Sequence, residues 1–154
     1  MTDIDLGKVV HKNLIVVPSK SKTKDEVINE LGHLLATKGY LFDAQEFIDD
    51  VYLREKEGVT GIGQGIAIPH GKSIAVKNTT IAVAVLDEEI EWETLDEQPV
   101  KVVIMFAVKD TDANTTHILL LQQIAVLLAH SDFLDKLKKV TSVDELYQLM
   151  TTAN

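Results

Sequence analysis

The chain of 154 residues has no cysteine, which removes disulfide cross-links and thiolate metal sites from consideration and suits a reducing compartment. Positive charge is the second shortage. Lysine and arginine number 15 against 24 aspartates and glutamates, for a formal net charge of -9. Such a surface repels nucleic-acid phosphate and anionic membranes, and no basic patch interrupts it; a partner with a basic face is steered in instead. Long apolar runs are also missing. No stretch approaches the roughly 18 apolar residues of a membrane span, and Met1 to Val10 lacks a signal-peptide core, so a soluble, cytoplasmic chain without membrane insertion is expected. Only three prolines occur, and no repeat, linker or low-complexity segment divides the chain. A single domain over residues 1–154 is expected, since a hydrophobic content of 45% suffices for one substantial core.

Glycine is not abundant but it is concentrated. Five of the eight fall at 58, 61, 63, 65 and 71, a density that marks tight turns or a backbone lying close to something it contacts. Within this stretch Gly65-Ile66-Ala67-Ile68 reads as a short strand that Pro69 stops, because proline brings no N–H to a ladder. His70 then stands just past a strand end, with Gly71 beside it to let a partner come close. That is the setting of a nucleophilic histidine, and equally of an ordinary surface one. Two phosphate-binding loops are excluded. Gly65 is followed by five residues, not four, before Gly71-Lys72-Ser73, so the Walker spacing fails; and Gly61-Ile62-Gly63-Gln64-Gly65 brings its third glycine one place too early for a dinucleotide fingerprint.

Around this stretch the elements alternate. Leu14 to Val17 reads as a strand closed by Pro18. Thr23 and Glu26 have capping-box spacing ahead of Val27, Leu31, Leu34 and Leu35, with Gly39 at the helix end. Asp43 and Glu46 open a second helix carrying Phe47, Ile48, Val51 and Tyr52 on one face, with Arg54 and Glu55 in its last turn. Thr80 to Leu86 reads as a central strand, Ile90 to Trp92 as a short hairpin return, and Val100 to Val108 as a strand covered on both faces. A helix from about His117 to His130 presents Ile118, Leu121, Ile124, Ala125 and Leu128. Phe133 to Lys139 gives a short helix, and Ser142 with Glu145 caps a last one. Helices at both ends and strands between them predict an α/β fold, a three-layer α/β/α sandwich on a mixed β-sheet. Trp92 and Phe106 read as packing residues, and Asp87-Glu88-Glu89 as a solvated turn. His11, His33 and His130 show no metal-ligand spacing with one another or with His70.

The run from Thr60 to Gly71, with Arg54-Glu55 ahead of it, resembles the active-site signature of the enzyme IIA component of the bacterial sugar phosphotransferase system, fructose and mannitol class. Glu55, Ile62-Gly63 and Ile66-Ala67-Ile68-Pro69-His70-Gly71 fill every slot of that signature. Ile90-Glu91-Trp92, Leu95-Asp96 and Pro99-Val100 resemble the fructose-type members in particular, and the likeness extends from about Ile4 to Met150.

The resemblance implies a phosphotransferase working through a phosphohistidine, with no cofactor and no metal. His70 would take a phosphoryl group from the phosphocarrier HPr and pass it to a cysteine of an enzyme IIB, serving indirectly a membrane-embedded enzyme IIC. A neutral imidazole is a competent nucleophile near pH 7, and transfer needs in-line positioning and charge stabilisation, not a nucleotide. His117 would donate an N–H to the phosphoryl oxygens, Arg54 a guanidinium fork, and Gln64 a hydrogen bond. Backbone N–H groups after Pro69, that of Gly71 among them, would complete an anion nest. Ile62, Ile66 and Ile74 are candidates for an apolar rim around an exposed nucleophile. Two other readings remain open: a regulatory module of the nitrogen-related branch, and a domain that binds a small anion without covalent chemistry.

Overall fold

The computed structural model describes residues 9–112 and 116–152; of Asp112, Thr116 and His117 only the backbone is described. Strands β1 (Ile15–Ser19), β2 (Gly61–Gly63), β3 (Ile66–Ala67), β4 (His70–Ser73), β5 (Thr80–Ile90) and β6 (Val100–Lys109) form one sheet. Helices α1 (Lys24–Thr37) and α2 (Ala44–Glu55) precede β2, while α3 (Thr116–Leu128), α4 (Ser131–Lys139) and α5 (Val143–Thr152) follow β6. The sheet runs β1-β5-β6-β3-β2, with β4 also paired to β6. It is mixed: β5 and β6 are antiparallel, whereas β1 lies parallel to β5 and both β3 and β4 lie parallel to β6.

Alternation along β5 and β6 sends side chains to two separate cores. Val83, Val85, Ile104 and Phe106 pack with Leu120, Ile124, Leu137 and Leu146 of α3, α4 and α5. Ala82, Ala84, Val103 and Met105 pack with Val27, Leu31, Phe47 and Val51 of α1 and α2. The small alanines Ala82 and Ala84 lie on the α1/α2 face. This is the expected α/β/α sandwich, and its central strands are apolar on both sides because both sides are covered.

The helix starts follow the sequence signals, with one refinement. Thr23 and Asp43 accept the amide hydrogens of Glu26 and Glu46, and Ser142 accepts that of Glu145. The returning glutamates reach one residue further back than a capping box requires: Glu26 accepts from the Lys22 amide and Glu145 from that of Thr141.

Three expectations about strands are corrected. β1 continues through Pro18 to Ser19, which an edge strand tolerates because one side has no ladder to complete; its pairing with β5 shifts between Val16 and Ser19. Ile90 is not a hairpin return but the end of the long strand β5, paired with Val100 after an irregularity beyond Val85. The acidic run Asp87-Glu88-Glu89 therefore lies on a strand, where Lys20 pairs with Asp87 and Lys22 with Glu88. The buried face of α3 is also rotated from the expected one. Leu120, Ile124, Leu127 and Leu128 are buried while Ile118 is 50% exposed; a segment apolar nearly all round carries no periodic signal to fix its inner face.

Candidate functional site

β3 and β4 keep one register against β6, from Ile66 opposite Val102 to Ser73 opposite Lys109. Pro69 interrupts this composite strand without ending it, since its carbonyl still accepts the Phe106 amide hydrogen. His70 therefore opens β4 instead of lying beyond a strand end, and it is only 8% exposed, not the open nucleophile expected.

Gly71 decides which way the histidine faces. A Cβ at Gly71 would lie 2.9 Å from Phe47 Cε1 and 3.0 Å from Val51 Cγ2, so the missing side chain admits α2, not a partner protein. His70, its neighbour along the strand, faces the other way, toward α3, and its ring centroid lies 6.2 Å from that of Phe106. Phe47 is fully buried and has no room to yield. Gly71→Ala is accordingly expected to cost about 1–3 kcal/mol through overpacking, read as a lowered urea midpoint with an unchanged m-value.

Both nitrogens of the imidazole are held. Nδ1 lies 3.0 Å from the carbonyl oxygen of Ile68, a group that only accepts, so the hydrogen resides on Nδ1 and Nε2 carries the lone pair. Arg54 Nε donates to Nε2 at 3.1 Å. The same guanidinium donates from Nη1 to the Gly58 carbonyl at 3.1 Å, so Arg54 is fixed at two points. It reaches the histidine from the last turn of α2, crossing the sheet edge from the opposite layer. Burial pushes the His70 pKa below its ordinary value; the bond to Ile68 opposes this and the Arg54 charge adds to it. The ring is neutral at pH 7 and presents a nucleophilic nitrogen beside a cation.

His117 lies in the first turn of α3, but its side chain is outside the described residues. Gln64 is not brought to the site. It occupies the tip of the β2–β3 hairpin with φ 57, between Gly63 and Gly65, which also have positive φ. Its amide donates to Asp96 and its carbonyl accepts from Lys138. At the strand rise it sits roughly 15–20 Å from His70 along the composite strand. Of the rim candidates, Ile66 is fully buried in the core beneath the sheet, whereas Ile74 is 67% exposed. Leu53 and Val59 are exposed beside Arg54 and Gly58, and nothing in the sequence marks them, because isolated apolar residues at a helix end carry no pattern.

Glu55, known from the sequence only as a signature slot, is a nearly buried carboxylate. It pairs with Lys24 at 2.7 Å and accepts from Thr60 Oγ1 at 2.6 Å. Trp92 is buried as expected, and its indole N–H donates to that same Thr60 hydroxyl.

Superposition on solved structures places the chain among the IIA domains of known structure. The nitrogen regulatory protein IIA-Ntr from Neisseria meningitidis superposes with a TM-score of 0.86 at 28% identity, covering 95% of this chain and 99% of that one. Escherichia coli IIA mannitol, solved in complex with phosphorylated IIB mannitol, superposes with a TM-score of 0.79 at 25% identity, covering 93% and 97%. The fructose-specific EIIABC component of Bacillus subtilis (strain 168) is 34% identical over 145 residues, 94% of this chain but 23% of that protein. The chain thus spans about a quarter of that relative's length. The family described as "Phosphoenolpyruvate-dependent sugar phosphotransferase system, EIIA 2" matches residues 8–153. The chain belongs to this family and is an enzyme IIA of the fructose/mannitol class.

Proposed function

We propose that this protein is a cytoplasmic phosphoryl relay in which His70 Nε2 is the acceptor atom. The observation that supports the reading most directly is the Arg54–His70 contact at 3.1 Å, which joins an unprotonated ring nitrogen to a cation suited to phosphoryl oxygens. The donor is a phosphohistidine of HPr. Its P–N bond breaks as the Nε2–P bond forms, and the electron pair returns to the donor nitrogen. In the second transfer an enzyme IIB cysteine thiolate attacks phosphorus, the P–S bond forms, and the P–Nε2 pair returns to His70. At each step Arg54 leaves the lone pair for the phosphoryl oxygens, where charge accumulates in a loose transition state. The Nδ1–H bond to Ile68 keeps the tautomer throughout. His117, at the start of α3 on the face toward which His70 points, is the proposed second donor. The backbone after Pro69 contributes N–H groups. Gln64 has no part in this scheme.

Exposed Leu53, Val59 and Ile74 supply an apolar skin for two brief encounters, with interfaces at the small end of the usual range. The likeness to a fructose-specific component favours transport of a fructose-type sugar, delivered through enzyme IIC. A second reading, that phosphorylation of His70 is a signal sensed by regulatory partners, draws support from the superposition on a nitrogen regulatory protein, with a TM-score of 0.86. Phosphoryl transfer to a cognate IIB separates the two.

The experiment is incubation with labelled phosphoenolpyruvate, enzyme I and HPr. Acid-labile, base-stable phosphate on His70 is the expected product, and none at all would end the proposal. The pH profile follows from the site. Only the neutral ring attacks, and the His70 pKa is lowered from 6.5. The rate should therefore be level through neutrality and fall only at a midpoint below 6.5, read from initial rates with the donor's own titration subtracted.

A further inference from the structure

Beside Arg54 in the last turn of α2 stands a residue with no part in the transfer chemistry. Glu55 places a nearly buried carboxylate, its side chain 7% exposed, between Lys24 of α1 and Thr60. An isolated buried charge is costly, and chains retain one only with a partner and satisfied hydrogen bonds. Here Lys24 neutralises it at 2.7 Å, and Lys24 is itself held by Glu93 and by the face of Trp92, 5.0 Å from the ring centroid.

The bond from Thr60 to Glu55 closes a short loop, and Gly58, which holds Arg54 Nη1, lies within that loop. Thr60 is 2% exposed, and its carbonyl accepts the amide hydrogen of Ile68, whose own carbonyl holds His70 Nδ1. One chain of contacts therefore runs from Lys24 through Glu55 and Thr60 to both nitrogens of the histidine.

Resting on the reading of His70 as phosphoryl acceptor, we propose that Lys24 and Glu55 are positioning residues for the transfer: the neutralised carboxylate pins Thr60, and the loop so fixed steers the Arg54 guanidinium onto His70 Nε2. Neither residue touches the phosphoryl group. The pair sets a donor that must be in place when charge develops, and misplacement by about an ångström costs up to roughly a hundredfold in rate.

Lys24→Met leaves the Glu55 carboxylate buried without its cation. Its initial rate of phosphohistidine formation from phospho-HPr is expected to fall roughly ten- to hundredfold. In the double variant Lys24→Met/Glu55→Gln the neutral amide oxygen still accepts from Thr60, and most of the rate should return. Thr60→Val cuts the same link without stranding a charge and should lose rate alongside the single variant, which keeps the test open if Lys24→Met folds poorly. A second readout needs no phosphate: the Arg54 Nε–H signal in nitrogen-15 NMR, shifted by its bond to His70, should broaden or move in Lys24→Met and recover in the double variant. A wild-type rate in both Lys24→Met and Thr60→Val, or a rate that fails to recover in the double variant while that variant is as stable as wild type, would overturn the proposal. If the wild-type protein takes no phosphate at His70, the underlying reading of the site fails first. The Arg54 signal then decides the clamp alone, and its indifference to Lys24→Met refutes it.

Discussion

His70→Ala is expected to reduce phosphoenolpyruvate-dependent labelling to background while leaving the sandwich intact. Among the described side chains, no other histidine has the same setting. His33 and His130 are exposed, and His11, in contact with Tyr40, lies outside the composite strand. Alanine removes the nucleophilic nitrogen and, among the described contacts, the hydrogen bond to Ile68 and that from Arg54. The second leaves a half-buried guanidinium that turns to water, so the loss of stability should be about 0.5–1.5 kcal/mol per bond and well short of unfolding. Labelling and a denaturation midpoint measured on the same preparation distinguish loss of the acceptor from loss of the fold. Retained label in a folded variant would move the chemistry away from this residue altogether.

Arg54→Lys is expected to slow phosphoryl acceptance by about a hundred- to a thousandfold, the scale set by removing one preorganised donor from a developing oxyanion. The substitution keeps the charge, so its effect isolates geometry. A guanidinium donates to His70 from Nε and to the Gly58 carbonyl from Nη1 at once; an ammonium on a flexible stem does not reproduce that fork. Arg54→Met removes the charge too, and a separate sign follows. Because the Arg54 charge contributes to lowering the His70 pKa, its removal should move that pKa upward, toward the ordinary 6.5, with burial still holding it below. An NMR titration of the His70 ring in the three proteins checks this. A His70 pKa unchanged in Arg54→Met would mean that the guanidinium does not dwell on the ring, and a near-normal rate in Arg54→Lys would mean that charge without direction is enough.

The two residues on which the proposal rests are unequally legible in the sequence. His70 was legible because its surroundings are encoded in consecutive residues: a short apolar strand, a proline, a glycine. Arg54 was legible only as an arginine in a helix's last turn, where the macrodipole alone accounts for one. What brings it to His70 is the crossing of α2 over β4, a contact between segments 16 residues apart. The role expected of Gly71, room for an approaching partner, does not hold, since a sequence cannot say whether the space a glycine leaves is filled from outside or, as here, by Phe47 and Val51. Gln64 fell within the signature and was carried to the site with it. The positive φ values from Gly63 to Gly65 instead turn the chain away at the hairpin tip, and neighbours in sequence become distant in space.

The sequence by itself determined the periodic and the local: capped helices α1 and α2, the apolar strands β5 and β6, and the α/β class. These are written in side-chain spacing and in residues whose backbone preferences act within a few positions. Tertiary structure alone decided that Pro69 interrupts a strand without ending it, which face α3 buries, how little of His70 meets solvent, and that Lys24, Glu55 and Thr60 stand behind Arg54. Each of those depends on which distant segments pack together. Packing is settled by volume, burial and the pairing of buried polar groups across the whole molecule, quantities that no short window of residues contains.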